Sequence, residues 1–248
     1  MLRRAFNVRY IGAWVLATGS ARGKGNAMYT RERVPKFYSR AERVSDAAVH
    51  VVGIGAALIA VPVLVTLAAT WFGDATTVAA ATIYGFSLIA MFACSAVYNM
   101  VSRPAWKDFL RRADQSAIYV KIAGSYTPFA VITGTHAGFF LAGIWGTAVL
   151  GASMIIFGPT RIKWASILLY LGLGWAGALL GAPMLQALSP TGLSLIVAAG
   201  SIYTAGLLFF LWERLPFHNT IWHVFVLAAT SVLYAAVLLE LAGRAPGA

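Results

Sequence analysis

Few residues in this sequence could do chemistry, and those few interrupt long apolar runs. Glu42, Asp46 and His50 recur every four residues, which puts them on one face of a helix. Ser95 and Asn99 repeat the four-residue step, as do Asn219 and His223, and Asp114 is followed seven residues later by Lys121 on nearly the same face. In lipid each such group needs a partner, so polar groups that meet between spans mark a binding or functional site. Some chemistries are excluded at once. The single cysteine, Cys94, permits neither a disulfide framework nor a thiolate metal cluster. The last apolar run has no lysine for a Schiff base, and the loops lack glycine motifs that cradle phosphate.

The elements that position these residues follow from composition. Of 248 residues 60% are hydrophobic and only 11% charged, with mean hydropathy +0.76. A soluble domain of this length could not hide so much apolar surface, so an all-α integral membrane fold is expected. Seven runs are long enough to span a bilayer: residues 47–71, 77–101, 114–133, 137–158, 164–183, 191–212 and 221–242. Turn-forming residues separate them, among them Gly73-Asp74, Arg103-Pro104, Gly158-Pro159, Ser189-Pro190 and Leu215-Pro216. The expected organisation is a basic tail over 1–40, a seven-helix bundle over 41–243 and a short tail over 244–248.

Lysine and arginine set the orientation. Ten of the nineteen lie between Arg3 and Arg43, and others follow in alternate loops: Arg103, Lys107, Arg111 and Arg112, then Arg161 and Lys163, then Arg214. The intervening loops around Asp74, His136 and Gln186 have none, and only Arg244 lies beyond the last span. This alternation predicts a cytoplasmic N-terminus and an external C-terminus. It also accounts for the net charge of +11 without nucleic acid as a partner. A cleaved signal peptide is the rival reading of the first 40 residues. Cleavage would leave Arg31, Arg33, Lys36, Arg40 and Arg43 on the wrong side, and a tail touching anionic lipid fits better.

With this topology Glu42, Asp46 and His50, Ser95 and Asn99, Asp114, and Asn219 and His223 fall at one depth near the cytoplasmic surface. Plainer explanations exist for each taken singly. Glu42 and Asp46 suit the first turn of any helix, Asn99 suits a helix end, and Asp114 has Arg111 and Arg112 for surface partners. His50 could be a hydrogen-bonded core histidine, and Lys121, about 10 Å deeper at 1.5 Å per residue, could snorkel. Four spans supplying one layer is the argument for a site.

Several segments resemble the haemolysin III branch of the progestin and adipoQ receptor family, which includes the adiponectin receptors. They are residues 38–50 (YSRAERVSDAAVH), 95–99 (SAVYN), 114–119 (DQSAIY), 123–128 (AGSYTP), 200–206 (GSIYTAG) and 221–226 (IWHVFV), within a resemblance spanning 38–243. The resemblance implies seven helices with the N-terminus inside. It also implies a zinc ion near the cytoplasmic face, held by three histidines beside a serine and an aspartate. The serine matches Ser95, the aspartate Asp114, and one histidine His223, while Asn99 and Asn219 occupy the other two ligand positions. Asp46 stands where the family commonly has asparagine, and Gln115 where histidine is frequent.

Neutral amides are poor zinc ligands, so zinc is expected to bind weakly or not at all. Lys121 is expected to place an ammonium near Asp114 and supply charge that zinc would otherwise provide. Three functions follow from the resemblance. The expected one is a lipid-linked receptor or regulator, with membrane lipids as partners and a ligand between the helices. The alternatives are a zinc-dependent hydrolase of lipid amides, with Asp114 as base or orienter, and the cytolysis that the family name denotes. The expected location is a bacterial inner (plasma) membrane. The glycines of the fifth run, Gly172, Gly174, Gly177 and Gly181, suggest close helix packing.

Overall fold

The computed structural model describes residues 38–134, 138–158 and 163–246. The signal-like stretch and all but the last three residues of the expected tail over 1–40 lie outside the described residues, as does His136. The described chain is helical: α1 (Arg40–Trp71), α2 (Ala75–Met100), α3 (Pro104–Ile132), α4 (Gly138–Phe157), α5 (Lys163–Leu180), α6 (Ala182–Gln186), α7 (Pro190–Leu211) and α8 (His218–Ala242). By length and composition α1, α2, α4, α7 and α8 suffice to cross a membrane, and α5 is a shorter apolar helix. The third expected span is more polar, and the structure gives the reason. Ser116, Lys121, Ser125 and Thr127 of α3 are buried, because α3 packs against α2, α4, α5 and α8 at once. Its polar residues face protein, while large apolar side chains such as Ile59, Phe86, Leu150 and Leu168 point outward, as lipid requires.

Helix ends are fixed by specific bonds. In α1 the Ser39 hydroxyl accepts from the Glu42 N–H, and the Glu42 carboxylate accepts from the Ser39 N–H, a reciprocal cap that starts the helix seven residues before the apolar run. The same carboxylate accepts from the N–H of Phe217 at 3.1 Å. Phe217 holds a left-handed conformation, φ 59°, just before α8, so Glu42 ties the starts of α1 and α8 together. α3 also starts early, at Pro104 in its first turn. This extension braces its neighbours: Lys107 donates to the Tyr98 carbonyl at the end of α2, and Arg112 donates to the carbonyls of Ile155 and Ile156 at 2.7 Å, ending α4. Hydrogen bonds from Arg111 and Arg112 hold the Asp108 carboxyl below the usual carboxylate range.

One core cluster joins α1, α2, α3 and α8 through Leu64, Ala68, Ala81, Tyr84, Phe129, Ala236, Val237 and Leu241. A second joins α3, α4 and α5 around Tyr119, Ala148 and Leu173. Of the α5 glycines, Gly177 lies against Tyr126, whose ring would be 2.8 Å from an added Cβ, whereas Gly172 and Gly174 face open space. The Tyr126 hydroxyl also donates to the Gly174 carbonyl at 2.6 Å and accepts from the Gly177 N–H at 3.0 Å. The close approach is confined to that one turn.

Candidate functional site

The four-residue spacings become four converging helix faces. α1 supplies Asp46 and His50, α2 Ser95 and Asn99, α3 Asp114, and α8 Asn219 and His223, and α1, α2, α3 and α8 are neighbours. Asp46 and His50 are buried, at 7% and 2% exposure, and the other five are half-buried.

Asp46 is the hub. Its Oδ1 lies 2.6 Å from His223 Nδ1, and its Oδ2 accepts from the Asn219 amide at 3.4 Å. That amide also donates to Asn99 Oδ1 at 3.2 Å, and the Asn99 amide donates to the Ser95 carbonyl at 2.9 Å. His50 Nδ1 faces the main-chain carbonyl of Asp46 at 2.8 Å and its Nε2 faces Ser95 Oγ at 3.2 Å. A carbonyl only accepts, so Nδ1 of His50 carries the hydrogen and Nε2 of the neutral ring accepts from Ser95. Asp114 is a second acceptor within reach of the Ser95 hydroxyl. The two imidazoles meet edge to face, 4.4 Å between ring centres.

Two polar residues lie elsewhere. Lys121 donates to Ser125 Oγ at 2.6 Å and lies over the Tyr84 ring, 5.2 Å from its centre. Among the described residues it forms no ion pair with Asp114. The two are separated by about 10 Å of helix rise, and the lysine reaches an acceptor one turn onward instead of turning back. His218 is buried and stacks on Tyr38, 6.1 Å between ring centres, so it does not take the place of Asn219.

A metal can be tested against these donors. The three-imidazole set that the resemblance implies is not built, since Asn99 and Asn219 stand at two of its positions and bond to each other. A different set exists: Asp46, His50 and His223 each offer one ligand atom, all within 4.8 Å of one another. One carboxylate and two imidazoles is a donor set that holds catalytic zinc, with the fourth position left for water.

Sequence reasoning passed over a second polar assembly at the other end of the bundle. Glu240, 1% exposed, accepts from the Ser189 N–H at 3.0 Å and pairs with Arg244. Arg244 also donates to the Ala187 carbonyl. The Glu240-x-x-x-Arg244 spacing was a visible signal, but its partners Ala187 and Ser189 precede α7 and lie more than fifty residues away.

Comparison with known proteins places these features. The family described as Haemolysin-III related matches residues 38–234. Hemolysin-3 of Bacillus cereus is 38% identical over 201 residues, covering 79% of this chain and 90% of that protein. The Hemolysin-3 homolog of Bacillus subtilis (strain 168) is 34% identical, covering 79% and 93%. More distantly, the Monocyte to macrophage differentiation factor of Homo sapiens is 31% identical over 169 residues, covering 62% and 67%.

Proposed function

Because the chain belongs to the haemolysin-III related family, we propose that it is a lipid-linked receptor or regulator in which a hydrogen-bonded clasp replaces the three-imidazole zinc centre. It is an integral, multi-pass membrane protein. The proposed arrangement is seven spans in a bacterial inner membrane, N-terminus inside and C-terminus outside, with a lipid held between helices. The observation that carries the reading is the Asn219 amide, which donates to both Asn99 and Asp46. The Asn219 amide closes on both acceptors without an ion, and the clasp joins α8 to α1 and α2. A lipid that parts α8 from α1 would break the Asp46–His223 contact, which gives such a site a readout.

Elemental analysis and lipid mass spectrometry of detergent-purified protein test this. Zinc well below one per chain, no rise in melting temperature with added zinc, and a co-purifying lipid are expected. One zinc per chain, raising the melting temperature, would overturn the clasp. Reporter fusions after Asp74 and Gln186 should report the outside, and fusions after Lys107 the inside.

A second reading, hydrolysis of lipid amides, is favoured by the proximity of Asp46, His50 and His223. These three would hold a zinc ion, which would supply an activated water. Ser95 and Asp114, beside them, would orient the substrate or hold a proton. Chelator-sensitive release of fatty acid from a lipid amide would select this reading.

A further inference from the structure

We infer that Ser95 is a nucleophile, served by His50 as general base, and that this pair can take an acyl group from an ester of a membrane amphiphile without a metal. The inference goes beyond the receptor reading and does not depend on it. Its basis is one chain of contacts: Asp46 carbonyl to His50 Nδ1 at 2.8 Å, and His50 Nε2 to Ser95 Oγ at 3.2 Å.

A hydroxyl becomes a nucleophile when an adjacent base takes its proton and a third group fixes the base in the right tautomer. All three parts are present. The Asp46 carbonyl fixes the hydrogen on Nδ1, which leaves the Nε2 lone pair aimed at Ser95. Burial at 2% exposure holds the ring in place. The serine itself is half-buried.

An amide donor also lies beside the serine. The Asn99 amide, anchored on the Ser95 carbonyl, lies 3.5 Å from Ser95 Oγ. An amide on that side of the attacking oxygen can donate to an oxyanion. Asp114 is a second acceptor of the Ser95 hydrogen, so the same proton has two possible destinations, and the test must separate them. The substrate class follows from position. The pair sits between helices whose outer faces are apolar, where acyl chains lie, and one amide donor with a histidine base suits an ester better than a less reactive amide.

The step balances without a further reagent. Ser95 Oγ bonds to the acyl carbon as its proton passes to His50 Nε2. The ester C–O bond breaks, and the leaving alkoxide takes the proton from His50 as an alcohol. Water then enters, gives a proton to His50, and releases the acid while Ser95 regains its hydrogen.

The test is covalent trapping in the full-length protein in detergent, with a long-chain alkyl fluorophosphonate as probe and peptide mass mapping as readout. Wild-type protein should carry one adduct, on Ser95, at the same rate with or without a chelator. Ser95→Ala should lose it. His50→Gln should slow it by about a hundredfold or more, and by more than Asp114→Asn does. Ser95 unlabelled in folded wild-type protein would overturn the proposal without any variant. So would loss of labelling in chelator, which would make the centre metal-dependent. If His50→Gln misfolds, a rate in Asp114→Asn that falls as far as predicted for His50→Gln would overturn the assignment of the base. None of these failures touches the receptor reading, which is decided by zinc content and bound lipid.

Discussion

Gly192→Ala should be among the most damaging one-carbon changes in the protein. Gly192 lies in the first turn of α7, and a Cβ there would stand 1.9 Å from Glu240 Oε1 and 2.7 Å from its Cδ. The carboxylate cannot swing aside freely. It accepts from the N–H of Ser189 at 3.0 Å and from its hydroxyl at 2.5 Å, and it is paired with Arg244. Relief to ordinary contact requires a shift of about 1.5 Å, which breaks the bonds to Ser189. Hydrogen bonds to a charged group contribute about 1.5–3 kcal/mol each, and both are lost. Alanine's better helix propensity returns about 1 kcal/mol at most. The net loss is about 2–5 kcal/mol, or about 5–15 °C in melting temperature for a domain of this size. Thermal unfolding in detergent measures it. Gly172→Ala, where nothing lies within 4 Å, should be neutral or slightly stabilising. In a Glu240→Ala background the cost of Gly192→Ala should disappear. A wild-type melting temperature for Gly192→Ala, or an unchanged cost in that background, would refute the reasoning.

Gly177→Leu should destabilise by about 1–3 kcal/mol through collision with Tyr126, whereas Gly172→Leu should not; equal melting temperatures would remove the packing argument. Lys121→Met and Ser125→Ala should be coupled by about 1 kcal/mol in a double-mutant cycle of unfolding, whereas Lys121→Met and Asp114→Asn should add. Arg112→Ala should cost about 1–3 kcal/mol, because it frees the last carbonyls of α4, and Arg112→Lys should recover only part of that melting temperature. Asn99→His with Asn219→His should give the site three imidazoles and raise zinc content toward one per chain with a zinc-dependent rise in melting temperature; unchanged metal content would show that the helix faces are set wrongly for the ion.

The helices were legible because each apolar run is long and bounded by turn residues, and each of the seven expected runs overlies a helix of eighteen residues or more. Their starts were not. α1 begins at Arg40 because Ser39 and Glu42 cap each other, and α3 begins at Pro104 because Lys107 and Arg112 have carbonyls to reach. The α3 bonds are tertiary and the α1 cap is local but polar, so no hydropathy window registers either. The polar character of α3 was also misleading when read alone. Its lysine, serines and threonine are tolerable only because four helices surround it.

At the site, spacing defined the faces but not the partners. Glu42, Asp46 and His50 share one face, yet only the latter two enter the site; Glu42 lies at the helix end, where free N–H groups claim it. Lys121 shares a face with Asp114, yet its amine turns to Ser125, one turn further on. What two positions decide is sharper. The Asn219 amide donates to Asn99 Oδ1, a bond that two neutral side chains close without a metal. Residues 99 and 219 are therefore the positions at which the clasp and a three-imidazole set exclude one another. The contact between His50 and Ser95 involves neither position, since its orienting group is the main chain of α1. That contact is therefore indifferent to whether residues 99 and 219 carry amides or imidazoles.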